Sequence, residues 1–211
     1  MPMIASVNKT DQIYNALLAQ LLEGHYQFGE ILSTYELASG FGVSRRPVMD
    51  AVMRLASAGF ISIIPQVGCQ VSVPDKRKVR EHFAVAGILE GAGAKLAAIS
   101  ASELQLDEIR DALDRGARPA ARNDGMSFAK ANREFHSSVL AACGNERLSE
   151  LAKQTWDLND FYLQKNRLRT DLAQAQREHA EIVASIAAKD DVLAHELMAE
   201  HVSRFWTFVK A

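Results

Sequence analysis

Histidine side chains on separate predicted helices supply the residue types that a metal site requires. Asn132 and His136 are four residues apart, so they share one face of a helix. His179 lies on a later predicted helix and His201 on the last one. A helical bundle can bring such residues to one interior point. Three imidazoles and one side-chain oxygen suit zinc or another divalent transition ion.

The ordinary alternative is that these histidines have no ligand at all. A lone histidine in a helical bundle is more often hydrogen-bonded or exposed than bound to a metal. Three histidines are predicted to have that ordinary role: His25, His82 and His195. Glutamates beside the candidate ligands are predicted to be solvated, because neighbours on a helix point about 100° apart. They are Glu134, Glu178 and Glu200.

Two adjacent arginines, Arg45 and Arg46, begin a predicted helix that Ser44 caps. The apolar face of this helix consists of Val48, Val52 and Leu55. The arginines and Met49 therefore point away from that face. An arginine in the first turn of a helix in the major groove can bind guanine O6 and N7, or a phosphate. Two exposed arginines alone would be ordinary solvated residues. Whether they contact DNA therefore depends on the fold that surrounds them.

The helix with the arginines is predicted to be the third in the chain. Apolar residues recur at helical spacing between Ile13 and Leu22, and Gly24 ends that run. Ser33 and Glu36 form a capping box that begins a short second helix. The third helix is predicted to end at Gly59 in a left-handed conformation.

A β-hairpin is predicted after the third helix. β-rich runs at 60–64 and 69–73 are separated by Pro65-Gln66-Val67-Gly68, which has the composition of a turn. Gly68 at the tip permits close approach of the backbone to DNA. Three helices followed by a hairpin are typical of a winged helix-turn-helix DNA-binding domain. The candidate DNA contacts are Ser44, Arg45, Arg46, Met49, Arg54 and Gly68.

The charge of this N-terminal part argues against strong DNA binding by a monomer. Residues 1–74 contain four lysines and arginines against five aspartates and glutamates. Electrostatic attraction to DNA is therefore weak. A basic cluster from Lys76 to Arg80 would improve the balance if it lay near the DNA backbone, and dimerisation would double the contacts.

The remainder of the chain is predicted to be helical. The charged stretch 75–78 is the expected linker between a domain at 1–74 and an all-helical domain at 79–211. Six helices are expected to begin at Val79, Ser102, Asn123 or Asp124, Asn145, Thr170 or Asp171, and Asp190 or Asp191. Small residues at Gly87, Gly91, Ala94 and Ala98 favour close packing of the first of these helices. The predicted fold is mainly α, a winged helix-turn-helix followed by a helical bundle.

Composition indicates the compartment. Cys69 and Cys143 form no CxxC pair and are expected to be buried thiols in a reducing environment. No apolar run approaches the roughly 20 residues that span a bilayer, and the N-terminus lacks a secretory signal. We therefore expect a cytoplasmic protein that does not enter a membrane.

Both parts of the chain resemble one family. The N-terminal part resembles the GntR family of bacterial regulators at Leu37-Ala38, Phe41-Gly42-Val43-Ser44-Arg45-Arg46-Pro47-Val48, Ala51, Leu55 and Gly59-Phe60-Ile61. The C-terminal part resembles the FadR-type ligand-sensing (FCD) domain, in its metal-binding subgroup. The matching residues are Phe135-His136, Gly144-Asn145, Glu178-His179 and His201. These matches occur in the family's order over nearly the whole chain.

The resemblance implies a homodimer that binds a palindromic operator in double-stranded DNA and responds to a small effector, often an organic acid. It implies a divalent metal, with zinc preferred over nickel or manganese, at Asn132, His136, His179 and His201. The family usually has an aspartate at Asn132, and a neutral amide is a weaker ligand. The family often has an arginine at the position of Ala86. Because this chain lacks that arginine, the resemblance does not assign a partner to the effector's carboxylate.

Two other functions compete with an effector-controlled transcriptional regulator. A histidine-rich site with open positions would also suit a metal-dependent hydrolase. However, the sequence has no HExxH motif and no carboxylate placed as a general base. A DNA-binding module with a degenerate sensor is the other alternative. We expect a regulator and not an enzyme.

Overall fold

The computed structural model describes residues 8–163 and 171–209. The chain divides between Pro74 and Asp75 into two compact units, and residues 160–163 group with the first unit. The elements of the first unit are α1 (Lys9–Glu23), β1 (Ile31–Leu32), α2 (Thr34–Phe41), α3 (Arg45–Ser57), β2 (Ile61–Ile64) and β3 (Gly68–Val71). The domain limits expected from the sequence remain predictions.

Local signals begin and end the helices of the first unit. Gly24 adopts a left-handed conformation with φ of 78° and ends α1. The Ser33 side chain accepts a hydrogen bond from the Glu36 N–H at 3.2 Å and begins α2. Buried residues of α1 and α3 pack together in the core of this unit, and they are Ile13, Leu17, Leu21, Val48, Ala51, Val52 and Leu55.

The predicted hairpin is part of a three-stranded sheet with the order β1-β3-β2. β2 and β3 pair antiparallel, with Ile64 opposite Gly68. The strand β1, which the sequence did not indicate, pairs antiparallel with β3 through Ile31 and Leu32. Two residues are too short to show the alternation that identifies a strand. This sheet forms the wing of the helix-turn-helix unit.

Helices form the second unit. They are α4 (Lys76–Ser100), α5 (Glu103–Ala121), α6 (Gly125–Ala142), α7 (Glu146–Leu163), α8 (Leu172–Ala187), α9 (Asp191–Ser203) and a short 3-10 helix (Arg204–Phe208). Asp124, Asp171 and Asp190 cap α6, α8 and α9 through their carboxylates. The alternative cap Thr170 lies outside the described residues. The mainly α fold class expected from the sequence is confirmed.

The expected linker at 75–78 is not a separate segment. Asp75 caps α4 by accepting a hydrogen bond from the Lys78 N–H at 3.0 Å, and residues 76–78 form the first helical turn. The charges of this stretch indicated a linker, but its aspartate is a residue type that begins helices.

The helix α4 lies at the centre of the second unit and packs closely on α9. A Cβ atom added to Gly87 would lie 2.7 Å from the Ala199 carbonyl oxygen, and one on Gly91 would lie 3.0 Å from the His195 carbonyl oxygen. The small residues therefore permit the close approach that their spacing predicted. By length and composition α4 could cross a membrane, although we expected no such helix. However, half of its most apolar 18-residue stretch is buried inside the protein. That burial agrees with a core helix.

Candidate functional site

Three buried histidines meet inside the second unit. His136 of α6, His179 of α8 and His201 of α9 are 5%, 1% and 2% exposed. One nitrogen from each ring lies within 4.8 Å of the others. Nε2 of His179 and Nε2 of His201 are 3.1 Å apart. Among the described residues this is the one group of three or more histidine, cysteine or acidic side chains with such spacing.

Each histidine occupies a core position of its own helix. The buried positions of α8 include Ala175, His179, Ile182 and Ile186, which recur at helical spacing. The buried positions of α9 are Ala194, Met198, His201 and Val202. The same apolar pattern that packs these helices therefore directs the imidazoles to the interior.

Aromatic rings restrict how the imidazoles can turn. The Phe135 ring stacks on His179 with ring centroids 4.2 Å apart. The Phe128 ring lies parallel to His179 at 6.1 Å on centroids. The Phe205 ring contacts His201 edge-on at 5.3 Å. Rings packed in this way hold the histidines in one orientation, which a binding site needs.

Two glutamates contact the outer nitrogens of the histidines. Oε2 of Glu90, a residue of α4 that is 2% exposed, contacts Nδ1 of His136. Nδ1 of His201 donates to Glu178 at 2.7 Å, and Arg204 also pairs with Glu178 at 2.5 Å. A carboxylate on Nδ1 fixes the tautomer and leaves Nε2 available as a ligand atom.

The environment keeps two of the histidines neutral. Burial lowers the pKa of His179 well below its usual value, and the nearby His201, His136 and Arg204 lower it further. Burial also lowers the pKa of His201, and this outweighs the hydrogen bond to Glu178. Neutral imidazole is the form that binds a metal ion.

Glu178 itself remains ionised. Its burial raises the pKa of the Glu178 carboxyl, but the hydrogen bond from His201, the charge of Arg204 and the hydrogen bond from Gln174 prevail, and the pKa lies below its usual value. The expectation that Glu178 is solvated was therefore wrong. The Glu178 side chain points away from His179 but contacts His201 and Arg204, which lie C-terminal to α8. The residue spacing within α8 does not show these contacts.

The donor set fits a divalent metal ion. Its three donors are imidazole nitrogens in a buried place, two of them backed by carboxylates, and the 3.1 Å separation of the His179 and His201 nitrogens is compatible with two ligands on one ion. Asn132 lies one turn before His136 on α6 and is half-buried. Its side chain makes no hydrogen bond to any described residue, so the amide oxygen is free to act as a ligand.

Sequence reasoning missed three residues around the histidines: Glu90, Trp156 and Arg204. A signal for Glu90 was present, because it interrupts a stripe of small buried residues between Ala86 and Ala94 on α4. A charged residue at a core position normally has a specific partner. Trp156 provides one such partner, since its Nε1–H donates to Glu90 Oε1 at 3.0 Å.

Two of the other three histidines differ in environment. His82 is half-buried, and its Nε2 lies 2.7 Å from Asn159 Oδ1. Burial lowers the pKa of His82 despite that hydrogen bond. His25 is exposed and lies 3.4 Å from the Glu23 carboxylate. Neither belongs to the histidine cluster.

The start of α3 presents exposed cations. Arg45 and Arg46 are exposed, and no acidic residue lies in the first turn of this helix. Ser44 precedes them and makes no side-chain capping bond, so its hydroxyl is available. Met49 is half-buried, and so it faces solvent less fully than the two arginines. This first turn could contact DNA bases or phosphates.

Two further candidate DNA contacts have contrasting environments. Arg54 forms an ion pair with Asp11 at 2.6 Å and lies over the Tyr14 ring at 4.4 Å. These contacts join α1 to α3, so Arg54 has a structural role in the first unit. Gly68 has φ of 116°, and a Cβ atom there would meet nothing within 4 Å. The backbone at the wing tip is therefore open to a close neighbour.

Comparison with known proteins finds a family match for each of the two units. Residues 81–204 match the FCD domain, and residues 9–71 match the bacterial regulatory proteins of the gntR family. McbR, an HTH-type transcriptional regulator of Escherichia coli (strain K12), is 27% identical over 203 residues, which cover 92% of this chain and 89% of McbR. RspR, an HTH-type transcriptional repressor of the same strain, is 26% identical over 201 residues, with coverage of 90% and 84%.

A solved structure gives the same result for the fold. That of E. coli McbR/YncC matches this chain with a TM-score of 0.73 at 25% identity, and the match covers 94% of this chain and 95% of that one.

Proposed function

This chain belongs to the GntR family of bacterial regulators and contains an FCD domain, and we propose that a small organic acid controls it at or near a divalent metal ion. The chain is a transcriptional regulator and not an enzyme, as its relatives are regulators. Regulators of this family bind operator DNA, so the effector would alter that binding.

The convergence of three buried histidines supports the metal proposal most strongly. His136, His179 and His201 would hold the ion, with Asn132 as a weak fourth ligand. Zinc suits three imidazoles best, and nickel or manganese are alternatives. Such an ion, when bound, supplies a Lewis-acidic centre that a carboxylate can coordinate. The protein's own part is to exclude bulk water and to hold the imidazoles neutral.

We also propose that the first unit binds double-stranded operator DNA through the start of α3 and the wing. Arg45 and Arg46 would reach base edges or phosphates, with Ser44 and Gly68 close to the backbone. A homodimer in the cytoplasm would place two such units on a palindrome and double the number of phosphate contacts.

The test combines metal, acid and DNA on the full chain. After chelation, added zinc should raise the midpoint temperature of thermal unfolding. At a free zinc concentration 100 times the dissociation constant, the gain in the free energy of unfolding is about 2.7 kcal/mol. Candidate organic acids should then raise it further and change affinity for DNA selected from a random pool. His179→Gln is the matched control, because it removes one ligand and keeps a polar side chain.

If zinc does not stabilise the wild-type chain, or stabilises His179→Gln equally, the metal proposal is wrong. If zinc binds but no organic acid changes DNA affinity, the chain is a DNA-binding module with a degenerate sensor.

A further inference from the structure

Glu90 is a buried carboxylate, and no lysine or arginine among the described residues forms an ion pair with it. It is 2% exposed and lies on α4 among small apolar residues. Its Oε1 accepts a hydrogen bond from Trp156 at 3.0 Å, and its Oε2 contacts His136. Neither partner is a fixed cation. A carboxylate in such a place is costly unless a counter-charge lies near.

Glu178 provides an internal comparison. It contacts His201 as Glu90 contacts His136, but it is 22% exposed and pairs directly with the Arg204 guanidinium. Its charge is therefore already offset by a residue of the protein. Each carboxylate contacts Nδ1 of a histidine, but only the Glu178 charge is already paired with a cation.

We propose that Glu90 is the positioning residue and the buried counter-charge of the metal centre. This inference rests on the proposed function, because it assigns a role to Glu90 in the proposed metal centre. By accepting the Nδ1–H of His136, the carboxylate leaves Nε2 without a proton and directed to His179 and His201. It also supplies the negative charge that the neutral Asn132 does not.

The substitution Glu90→Gln tests this role with little change in shape. The amide oxygen can still accept from Trp156 Nε1–H, which leaves the amide NH2 facing Nδ1 of His136. Nδ1 must then be an acceptor, so the proton moves to Nε2 and blocks the ligand atom. We expect zinc affinity, measured by competition with a coloured chelator, to fall by about 10- to 100-fold.

Metal-free stability separates positioning from a structural role. Because Glu90→Gln removes a buried charge, the metal-free protein should unfold at an unchanged or higher temperature. Zinc should then raise that temperature less than it does in the wild-type chain. A residue that only held α4 to α6 would instead lower the midpoint with and without zinc.

Two matched variants locate the effect. Trp156→Phe removes the other hydrogen bond of Glu90 and keeps its contact with His136, so zinc affinity should change less than about threefold. Glu178→Gln should also reduce zinc affinity, through the tautomer of His201, but less than Glu90→Gln does, because the Glu178 side chain is 22% exposed and solvent screens its charge.

The outcomes are distinguishable. Equal zinc affinity of wild-type and Glu90→Gln proteins overturns the role of Glu90 and leaves the proposed function standing. An equal loss of metal-free and zinc-bound stability overturns it as well. If the wild-type chain itself binds no zinc, the proposed metal centre fails and this role fails with it.

Discussion

Single side chains around the histidine cluster determine its charge. His179 and His201 are neutral because burial lowers the pKa of each. A divalent ion held by neutral imidazoles retains its charge in a buried place, which is unfavourable without a nearby anion. Asn132 contributes none, although it is half-buried one turn from His136.

Asn132→Asp should therefore tighten zinc binding and weaken the dependence of zinc binding on an anionic effector. The added carboxylate supplies fixed charge beside the ion, so the effector has less charge to neutralise. Calorimetry of zinc binding, with and without the cognate acid, measures both effects. His136→Ala is the control that removes a ligand and should abolish binding. If Asn132→Asp leaves zinc affinity unchanged, Asn132 is not a ligand.

The arginines at the start of α3 also act as single residues. Arg45→Ala or Arg46→Ala should cost about 1–3 kcal/mol of operator affinity if the residue reads a guanine, with relaxed preference at one position. Uniform loss on all sequences would instead assign a phosphate contact. Arg122, an exposed arginine of the second unit, is the matched control and should have no effect when changed to alanine. No loss for either α3 variant would contradict the proposed docking.

At the scale of elements, the contact between α4 and α9 positions the cluster. α4 carries Glu90 and α9 carries His201, so their separation sets where the carboxylate and the imidazole lie. Gly87 and Gly91 allow this contact because neither has a Cβ atom. The metal site therefore depends on residues that cannot themselves bind a metal.

Gly87→Ala should destabilise the protein by about 1–3 kcal/mol and weaken zinc binding. The new Cβ would lie 2.7 Å from the Ala199 carbonyl oxygen, two residues before His201, so α9 must shift. Thermal unfolding and zinc titration measure the two effects. Gly40→Ala is the control: its Cβ would meet nothing within 4 Å, and alanine favours a helix by up to about 1 kcal/mol. Unchanged stability of Gly87→Ala would show that the helices can separate without cost.

At the scale of the whole molecule, one side of α4 remains apolar and exposed. Val85, Ile88 and Ile99 are 53%, 63% and 60% exposed and lie on the same face of the helix. Exposed apolar side chains along one face of a helix are a candidate interface. We expect a second copy of the chain to cover this face in the proposed homodimer.

Ile88→Glu should convert the dimer to a monomer, because two buried carboxylates would face each other across a symmetric contact. Light scattering measures the mass, and affinity for a palindromic operator should fall toward that for a half-site. Leu104→Glu, at a residue of α5 that is 71% exposed, is the matched control and should remain dimeric. A dimeric Ile88→Glu protein would place the interface elsewhere.

The local features of this protein can be read from its amino-acid sequence alone. Caps such as Ser33 and Asp190, the left-handed Gly24 and the apolar spacing of each helix act within a few residues, so they can be recognised without a fold. The family resemblance selected His136, His179 and His201 among six histidines, and the structure buries all three. The mainly α class and the winged helix-turn-helix followed from these signals.

Contacts between side chains that are far apart along the chain are visible only in the folded protein. Glu90 and His136 are 46 residues apart, and Glu178 and His201 are 23 apart. Such pairs depend on how whole helices pack, because no periodicity within one helix specifies the face that another presents. The pairing of β1 with β3 has the same cause, since Ile31 forms a strand only where Gln70 lies opposite.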